Sequence, residues 1–152
     1  MEKMLVSLCL LGQKCRFDGR DCLNDQIKES LHNKIVIGVC PELESGLSVP
    51  RKKCEIFGGD GYDVLDKKAQ VLAEDGSDLS LSYQRGAEII LERVKISGVK
   101  KAIFKDNSPS CGLTHIYDGT FKGRMRPGPG VSTALLKRND IEIISDEHFI
   151  EI

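Results

Sequence analysis

Four short apolar segments recur along the chain, and none shows the strict alternation of apolar and polar residues that marks a half-exposed strand. They span residues 4–8, 34–39, 100–105 and 141–144, and each is rich in Val, Ile or Leu. Such continuous apolar segments are typical of parallel strands that are covered on both faces. The pattern therefore predicts four buried strands.

Helical periodicity lies between these segments. Residues 24–32 place Ile27 and Leu31 four apart behind Asn24, a suitable N-cap. The clearest helix is predicted for residues 80–97, ended by Gly98, and a shorter one for residues 131–138. One face of the long helix is apolar and consists of Tyr83, Ala87, Ile90, Leu91 and Val94.

Strands that alternate with helices predict an α/β fold, here one three-layer, Rossmann-like domain over residues 1–152 with a mostly parallel sheet. Two stretches lack clear periodicity. Residues 52–78 contain a possible hairpin around residues 74–76, and residues 108–130 read as a loop. In such folds ligands bind beyond the carboxyl ends of the strands, so the loops that follow strands are the places to look for chemistry.

The charge balance and the lengths of the apolar segments limit the kinds of binding partner that the protein can have. The 152 residues carry 22 basic and 23 acidic side chains, a formal charge of −1, so nucleic acid is a possible but not a favoured partner. The apolar segment at residues 4–11 is too short to span a bilayer and no small-residue cleavage site follows it. We expect a cytoplasmic protein without a membrane partner; the sequence leaves the oligomeric state open.

Six cysteines need an explanation in a compartment that keeps thiols reduced. Cys9, Cys40 and Cys111 each follow a predicted strand, so we expect them to converge at one edge of the sheet. There is no CxxC pair, which leaves an iron–sulfur cluster with three protein ligands, a zinc ion with an open position, or simply buried thiols. Structural or incidental roles are expected for the remaining cysteines, Cys15, Cys22 and Cys54. Of these, Cys15 is expected to lie nearest to the site. Cys54 follows a run of basic residues, whose positive charge is expected to lower the pKa of its thiol.

Four motifs carry a family resemblance that extends from about residue 4 to residue 145. They read SLCLLGQKCRFDG, VCPELESGLSVPR, SPSCGLTHIYDGTF and GPGVSTALL. In their order and content they resemble a small bacterial domain, long of unknown function, that is now associated with thiouracil desulfidases. The resemblance implies a [4Fe-4S] cluster held by Cys9, Cys40 and Cys111, whose fourth iron takes the sulfur of the substrate. It also implies catalytic roles for Glu42 of the CPE motif and Ser108 of the SPSCG motif.

The function expected from this resemblance is a non-redox, hydrolytic desulfidase that removes sulfur from a thiolated pyrimidine, of the thiouracil or 4-thiouridine nucleotide type, and releases sulfide. The alternative is a non-catalytic iron–sulfur or zinc protein, such as a redox sensor. Glu42 is the candidate base if burial raises its pKa, and Ser108 the candidate donor that orients the ring. Arg16, Arg51 and Ser110 are the candidate substrate-binding residues, with Arg51 suited to a substrate phosphate.

Several further residues are weaker candidates for the same region. Lys105 and His115 lie in or beside loops that follow a predicted strand or a candidate cysteine. Asp18 and Asp118 each precede a glycine, for which a turn is the simpler interpretation. The sequence Gly-Pro-Gly at residues 128–130 precedes a predicted helix and predicts either an anion site at the helix N-terminus or a tight connection.

Overall fold

The structure is a computed structural model that describes residues 1–149. Thirteen strands and helices follow one another along the chain, with short 3-10 turns at Leu8–Leu11 and Asp146–His148. In order they are β1 (Lys3–Ser7), α1 (Asp25–Ser30), β2 (Ile35–Val39), α2 (Pro41–Glu44), β3 (Cys54–Phe57), α3 (Gly61–Leu65), β4 (Gln70–Ala73), α4 (Ser80–Ser97), β5 (Lys101–Phe104), β6 (His115–Tyr117), β7 (Met125–Pro127), α5 (Val131–Arg138) and β8 (Glu142–Ser145).

A four-stranded sheet in the order β2–β1–β5–β8 forms the centre of the fold, and all its strand pairs are parallel. These are the four strands that the apolar segments predicted. The predicted helices are present as α1, α4 and α5. The Asn24 side chain accepts a hydrogen bond from the amide of Ile27 at 3.0 Å, and Gly98 ends α4 in a left-handed conformation with φ 74°. The expected α/β fold is confirmed.

Side chains along each central strand point alternately to the two faces of the sheet, so the core has two parts. Leu5 and Phe104 pack against α4 and α5, whereas Met4, Val6 and Ile103 face the side that carries α1. Successive strand residues point to opposite faces, so strands that are apolar at every position need cover on both sides. Helices on both faces supply that cover. Within residues 1–149, no helix is both long and apolar enough to cross a membrane.

The two stretches interpreted as loops contain regular structure. Residues 52–78 include an antiparallel pair, β3 with β4, joined through α3, and residues 108–130 include the β6–β7 hairpin. The expected turn at residues 74–76 exists. The chain on either side of it forms one isolated antiparallel bridge, between Leu72 and Asp78, and not a two-stranded hairpin. These elements are three to five residues long, which is too short for a periodic signal.

The Gly-Pro-Gly segment makes a tight connection and does not leave an anion site. The amides of Val131, Ser132 and Thr133 at the start of α5 donate to the carbonyls of Pro109 and Ser110, at 2.7 to 3.2 Å. A Cβ atom on Gly130 would lie 2.6 Å from the backbone of Ser110, so glycine is required for this approach. The start of α5 thus holds the segment that carries Ser108, Ser110 and Cys111.

Candidate active site

The strand order brings the three cysteine-bearing loops together. β2, β1 and β5 are neighbours in the sheet, and their carboxyl ends lie at the same edge. Cys9 lies in the 3-10 turn directly after β1, Cys40 directly follows β2, and Cys111 lies in the loop after β5. All three are buried, at 8, 7 and 5% exposure. The predicted convergence of these cysteines is therefore what the structure describes.

A cavity of about 230 Å³ opens at this edge. Its wall contains all eight residues proposed from the sequence for metal binding, catalysis or substrate binding, namely Cys9, Arg16, Cys40, Glu42, Arg51, Ser108, Ser110 and Cys111. Lys105 also lines it, as expected. The other weaker candidates, Asp18, Asp118 and His115, do not line the cavity. Asp18 and Asp118 accept hydrogen bonds from residues two positions later, as turn residues do, and His115 is exposed on β6.

Glu42 is buried, with 7% of its surface exposed, at the second position of α2. Ser110 Oγ donates a hydrogen bond to Glu42 Oε1 at 2.7 Å. Tyr83 Oη lies 3.5 Å from Glu42 Oε2, and the guanidinium of Arg51 lies 3.8 Å from the same oxygen. A buried carboxylate is costly unless it is paired and hydrogen-bonded, and these three groups meet that requirement.

Ser108 and Ser110 have different partners. Ser108 Oγ accepts a hydrogen bond from the amide of Cys111 at 2.8 Å, which closes the turn that presents the cysteine. The two serine oxygens are 3.3 Å apart. Ser110, a candidate substrate-binding residue, donates a hydrogen bond from its hydroxyl to Glu42. The three side chains form a chain of polar contacts from Ser108 through Ser110 to Glu42.

The thiols of Cys40 and Cys111 are in an environment that favours their protonated form. Contact with the Cys15 thiol, burial and the negative charge of Glu42 raise the pKa of Cys40. Burial and the charge of Glu42 also raise the pKa of Cys111. Thiols in such surroundings give up their protons when a cation compensates the charge, as a bound metal does.

Two cysteines assigned structural roles from the sequence also line the cavity. Cys15 is 3% exposed and Cys54 is 7% exposed. The expectation that the basic run before Cys54 lowers its pKa is wrong, because burial outweighs the opposing effect of Arg51 and raises that pKa. Cys22 is half-buried and accepts a hydrogen bond from Arg16 at 3.2 Å.

Tyr83 is the cavity residue that the sequence assigned only to a helix core. Its apolar ring packs between α4 and the β3–β4 pair, and it is 3% exposed. Burial and the charge of Glu42 raise the pKa of its hydroxyl well above the usual value, so it stays a neutral donor. The helical periodicity places Tyr83 correctly on the buried face, but it carries no signal that the ring ends beside a carboxylate.

Basic side chains surround the cavity. Arg16, Arg51, Lys52, Lys53 and Lys105 line it, against two carboxylates, Glu42 and Asp106. Some of these cations are partly neutralised by acids outside the cavity, since Lys105 pairs with Asp146 at 3.4 Å and Lys53 with Glu55 at 3.7 Å. The balance still favours a ligand that carries negative charge or electron-rich oxygen atoms.

The donor set of the cavity suits an iron–sulfur cluster. Thiolate sulfur is the protein ligand of such clusters, and three buried cysteines reach the cavity from three neighbouring strand ends. Within residues 1–149, no three His, Cys, Asp or Glu side chains lie close enough to hold one metal ion between them. A cluster of several irons and sulfides is larger than one ion, and its ligands stand further apart around it.

Three comparisons with known proteins agree with one another. The model of the 2-thiouracil desulfurase family matches residues 4–148. The uncharacterised protein YbbK of Bacillus subtilis (strain 168) is 40% identical over 149 residues, which cover 98% of this chain and 99% of YbbK. A solved structure of the [4Fe-4S]-dependent thiouracil desulfidase TudS matches with a TM-score of 0.84 at 35% identity, covering 97% of this chain and 92% of that one. With its motifs, its fold and nearly its whole length matched, the chain belongs to the 2-thiouracil desulfurase family.

Proposed function

We propose that this protein is a [4Fe-4S]-dependent desulfidase that removes sulfur from a thiolated pyrimidine by hydrolysis, without net electron transfer. The observation that carries the proposal is the meeting of Cys9, Cys40 and Cys111 with the buried carboxylate of Glu42 on one cavity. The similarity to TudS, a [4Fe-4S]-dependent thiouracil desulfidase, supports the same cofactor and substrate class here. We also propose a cytoplasmic location, where the thiols stay reduced.

Cys9, Cys40 and Cys111 would hold the cluster. When bound, it supplies a soft Lewis acid with one open iron, suited to the sulfur of a thiocarbonyl group. The polarised carbon of the substrate then needs a water molecule and a group that takes its proton.

Glu42 is the proposed base. It lines the cavity two positions after Cys40, so its carboxylate shares the cavity with the residues that would hold the cluster. Ser110 and Arg51 contact different oxygens of the carboxylate and hold its orientation. A positioned base of this kind contributes about 10²–10⁴-fold to a reaction that requires proton removal from water.

Ser108 is the proposed donor to the pyrimidine ring. Its oxygen accepts the Cys111 amide, which leaves the hydroxyl proton free to point into the cavity or toward Ser110. A hydroxyl fixed in this way stabilises negative charge that develops on a ring atom during attack. Through Ser110 it also connects with Glu42, so a proton taken up by the carboxylate has a route toward the substrate.

The basic lining supports a nucleotide form of the substrate. The backbone amide of Arg51 donates a hydrogen bond to the carbonyl oxygen of Phe17 at 2.8 Å. The side chain of Arg51 is 11% exposed. Arg16, Lys52 and Lys53 share the cavity wall with it. Guanidinium and ammonium groups clustered beside a cavity favour a phosphate group, as in a 4-thiouridine nucleotide.

The test compares Glu42→Gln with Glu44→Gln in protein reconstituted with iron and sulfide under anaerobic conditions. Glutamine keeps the shape of the side chain and still accepts from Ser110, so Glu42→Gln is expected to retain the cluster absorbance and its iron content. Sulfide release from 2-thiouracil or a 4-thiouridine nucleotide should fall by about 10²–10⁴-fold.

Glu44 is the matched control, since it pairs with Arg93 at 2.9 Å and does not line the cavity. Its glutamine variant should release sulfide at the wild-type rate. Unchanged sulfide release by Glu42→Gln overturns the role of Glu42 as base. A cluster-loaded wild-type protein that releases no sulfide from any thiopyrimidine favours a non-catalytic iron–sulfur protein instead.

A further inference from the structure

Glu55 is a fully buried carboxylate on β3 that the proposed function leaves unused. Its side chain is 0% exposed, and it lies outside the cavity wall. Glu55 Oε1 accepts hydrogen bonds from the backbone amides of Gly119 and Phe121, at 3.0 and 3.1 Å. Its other oxygen, Oε2, has no hydrogen-bond partner within residues 1–149. A buried carboxylate is costly unless its charge is compensated, so the surroundings of Oε2 need an explanation.

The ammonium group of Lys53 supplies the compensating charge. Lys53 Nζ lies 3.7 Å from Glu55 Oε2. Lys53 directly precedes β3, and residues two apart on an extended segment point to the same side, which places the two side chains together. The same ammonium lies over the ring of Tyr117, 4.5 Å from its centre, in a cation–π contact. A buried carboxylate and an aromatic ring therefore hold Lys53 in place.

The turn between β6 and β7 fixes Tyr117 relative to this lysine. Gly119 lies in that turn with φ 91°, and a Cβ atom on it would lie 2.6 Å from the carbonyl oxygen of Ile56. Glycine is required there, and the turn packs directly on β3. Tyr117 is the last residue of β6, two positions before Gly119. Through the amides of this turn and the ion pair with Lys53, Glu55 thus positions both neighbours of the cation–π contact.

Lys53 has donor capacity left for a ligand, unlike two cationic neighbours on the cavity wall. Lys52 donates a hydrogen bond to Asp75, and Arg16 donates one to the sulfur of Cys22. The distance of 3.7 Å from Lys53 to its carboxylate partner is longer than a hydrogen bond. An ammonium group has three N–H donors, and the carboxylate and the ring occupy at most two directions. Lys53 lines the cavity with a side chain that is 33% exposed, so at least one donor is available there.

We propose that Lys53 binds the phosphate group of a nucleoside monophosphate substrate, and that Glu55 is its positioning residue. The proposal rests on the proposed function, because it takes a thiolated pyrimidine nucleotide as the ligand of this cavity. Phosphate oxygens accept charge-assisted hydrogen bonds from an ammonium group. Lys53 shares the cavity with the residues that would hold the cluster, so one nucleotide can contact both.

The contribution of Glu55 is preorganisation. A lysine side chain loses much rotamer freedom when it is fixed on a ligand, and that loss weakens binding. Glu55 and Tyr117 fix the ammonium of Lys53 before any ligand arrives. Because Glu55 lies behind the lysine and not on the cavity wall, its own charge stays further from the phosphate than the ammonium does.

The first test separates phosphate binding from pyrimidine binding. Uridine 5′-monophosphate and uridine are titrated into anaerobically reconstituted wild type and Lys53→Met, and isothermal titration calorimetry gives the dissociation constants. Lys53→Met should weaken binding of the monophosphate about 10–100-fold, the loss typical of a hydrogen bond to a charged group. Binding of uridine should be unchanged. Lys122→Met removes the same charge from an exposed residue outside the cavity and should bind both compounds as wild type does.

A double-mutant cycle tests the role of Glu55. Glu55→Gln keeps an oxygen for the amides of Gly119 and Phe121 but removes the charge beside Lys53, so the monophosphate should bind on the order of threefold to tenfold more weakly. In the Lys53→Met background, Glu55→Gln should have no further effect, because Glu55 acts through the lysine. The double variant contains no unpaired buried charge, so it also tests the site if Lys53→Met alone does not fold.

Two results overturn the proposal. One is a monophosphate affinity that is the same in wild type, Lys53→Met and the double variant. The other is an equal loss of affinity for uridine and for its monophosphate, because Lys53 then contacts the pyrimidine or only shapes the cavity. A Glu55→Gln effect of the same size with and without Lys53 contradicts the positioning role of Glu55, since a general loosening of the fold produces that pattern.

Sulfide release distinguishes failure of this proposal from failure of the proposed function. With 4-thiouridine 5′-monophosphate, Lys53→Met should raise KM about 10–100-fold and leave kcat little changed, whereas KM for 2-thiouracil should stay the same. A wild-type protein that binds uridine 5′-monophosphate through Lys53 but releases no sulfide from any thiopyrimidine contradicts the proposed function alone. Sulfide release from 2-thiouracil by a wild-type protein that does not bind the monophosphate removes only the phosphate site.

Discussion

Two buried carboxylates organise the site in opposite ways. Glu42 has one short hydrogen bond, from Ser110, and its other oxygen is approached only by Tyr83 at 3.5 Å and Arg51 at 3.8 Å. Both carboxylate oxygens of Asp106, by contrast, accept several hydrogen bonds. It accepts from the amides of Asn107, Leu113 and Thr114 and from the hydroxyls of Thr114 and Ser145. A carboxylate with spare acceptor capacity is suited to proton transfer, and a saturated one to structure.

Asp106 is therefore expected to hold the loop that presents Cys111. Burial alone would raise its pKa, but the hydrogen bonds from Ser145, Thr114 and the backbone amides outweigh burial and lower it from 3.8 to about 2. The charged form is thus the one that the folded state favours. Asp106 contributes stability above pH 4, and this contribution is lost as the pH falls from about 4 to about 2.

Asp106→Asn should consequently lower the free energy of unfolding by about 1–3 kcal/mol at neutral pH. The difference from wild type should shrink as the pH approaches about 2, where about half of the wild-type carboxylate is itself protonated. Urea unfolding at both pH values measures this. Asp118→Asn, in an exposed turn, is the control and should show a small effect. A difference between wild type and Asp106→Asn that is independent of pH contradicts the assignment.

At the scale of elements, the site depends on how closely α2 approaches α4. A Cβ atom on Gly86 of α4 would lie 2.5 Å from the carbonyl oxygen of Pro41, the first residue of α2. Glycine in mid-helix is otherwise unfavourable by roughly 0.5–1 kcal/mol relative to alanine. The close approach brings Glu42 of α2 beside Tyr83 of α4.

Gly86→Ala should therefore destabilise the protein even though it improves helix propensity. Displacing α2 to relieve the overlap is expected to cost about 1–3 kcal/mol, which exceeds the gain in propensity. Because Glu42 moves with α2, sulfide release should fall further than stability explains. Urea unfolding and sulfide release measure the two effects. Glu88→Ala, at an exposed position of the same helix, should change stability by no more than about 0.5 kcal/mol. A more stable Gly86→Ala protein contradicts this account.

At the scale of the whole molecule, the site joins parts of the chain that are distant in sequence. Cys9, Cys40 and Cys111 lie beyond three neighbouring strands, so a cluster held by them would link β1, β2 and β5 at one edge of the sheet. A ligand that binds only the folded state stabilises it by mass action. The cofactor is thus expected to contribute to folding stability as well as to chemistry.

Removal of iron should accordingly lower the melting temperature. For a chain of this size each kcal/mol of stabilisation raises Tm by roughly 3 °C. Thermal unfolding followed by circular dichroism, on anaerobically reconstituted and iron-free samples of the same preparation, provides the measurement. Cys9→Ser is the control, and its Tm should not respond to reconstitution. Identical Tm values for loaded and iron-free wild type would contradict a cluster that links the three strands.

Local pattern was sufficient for the elements with a strong periodic signal. The four central strands, α4, α5 and the N-cap of α1 were predicted because their signals lie within a few neighbouring residues. The placement of Cys9, Cys40 and Cys111 also followed, since each comes directly after an apolar segment or in the loop beyond it. The short elements β3, α3, β6 and β7 did not follow, because three to five residues are too few for a periodic signal.

The sequence by itself determined the fold class and the edge of the sheet where the chemistry lies, because hydrophobic periodicity and parallel topology leave few alternatives. Its motifs also determined the family. Only the tertiary structure decided which groups meet there: that Cys40 Sγ lies beside the carbonyl of Cys15, and that the hydroxyl of Ser110 donates to Glu42. These contacts depend on how loops fold back over a completed sheet, and loop geometry is set by packing and hydrogen bonds across the fold and has no local pattern.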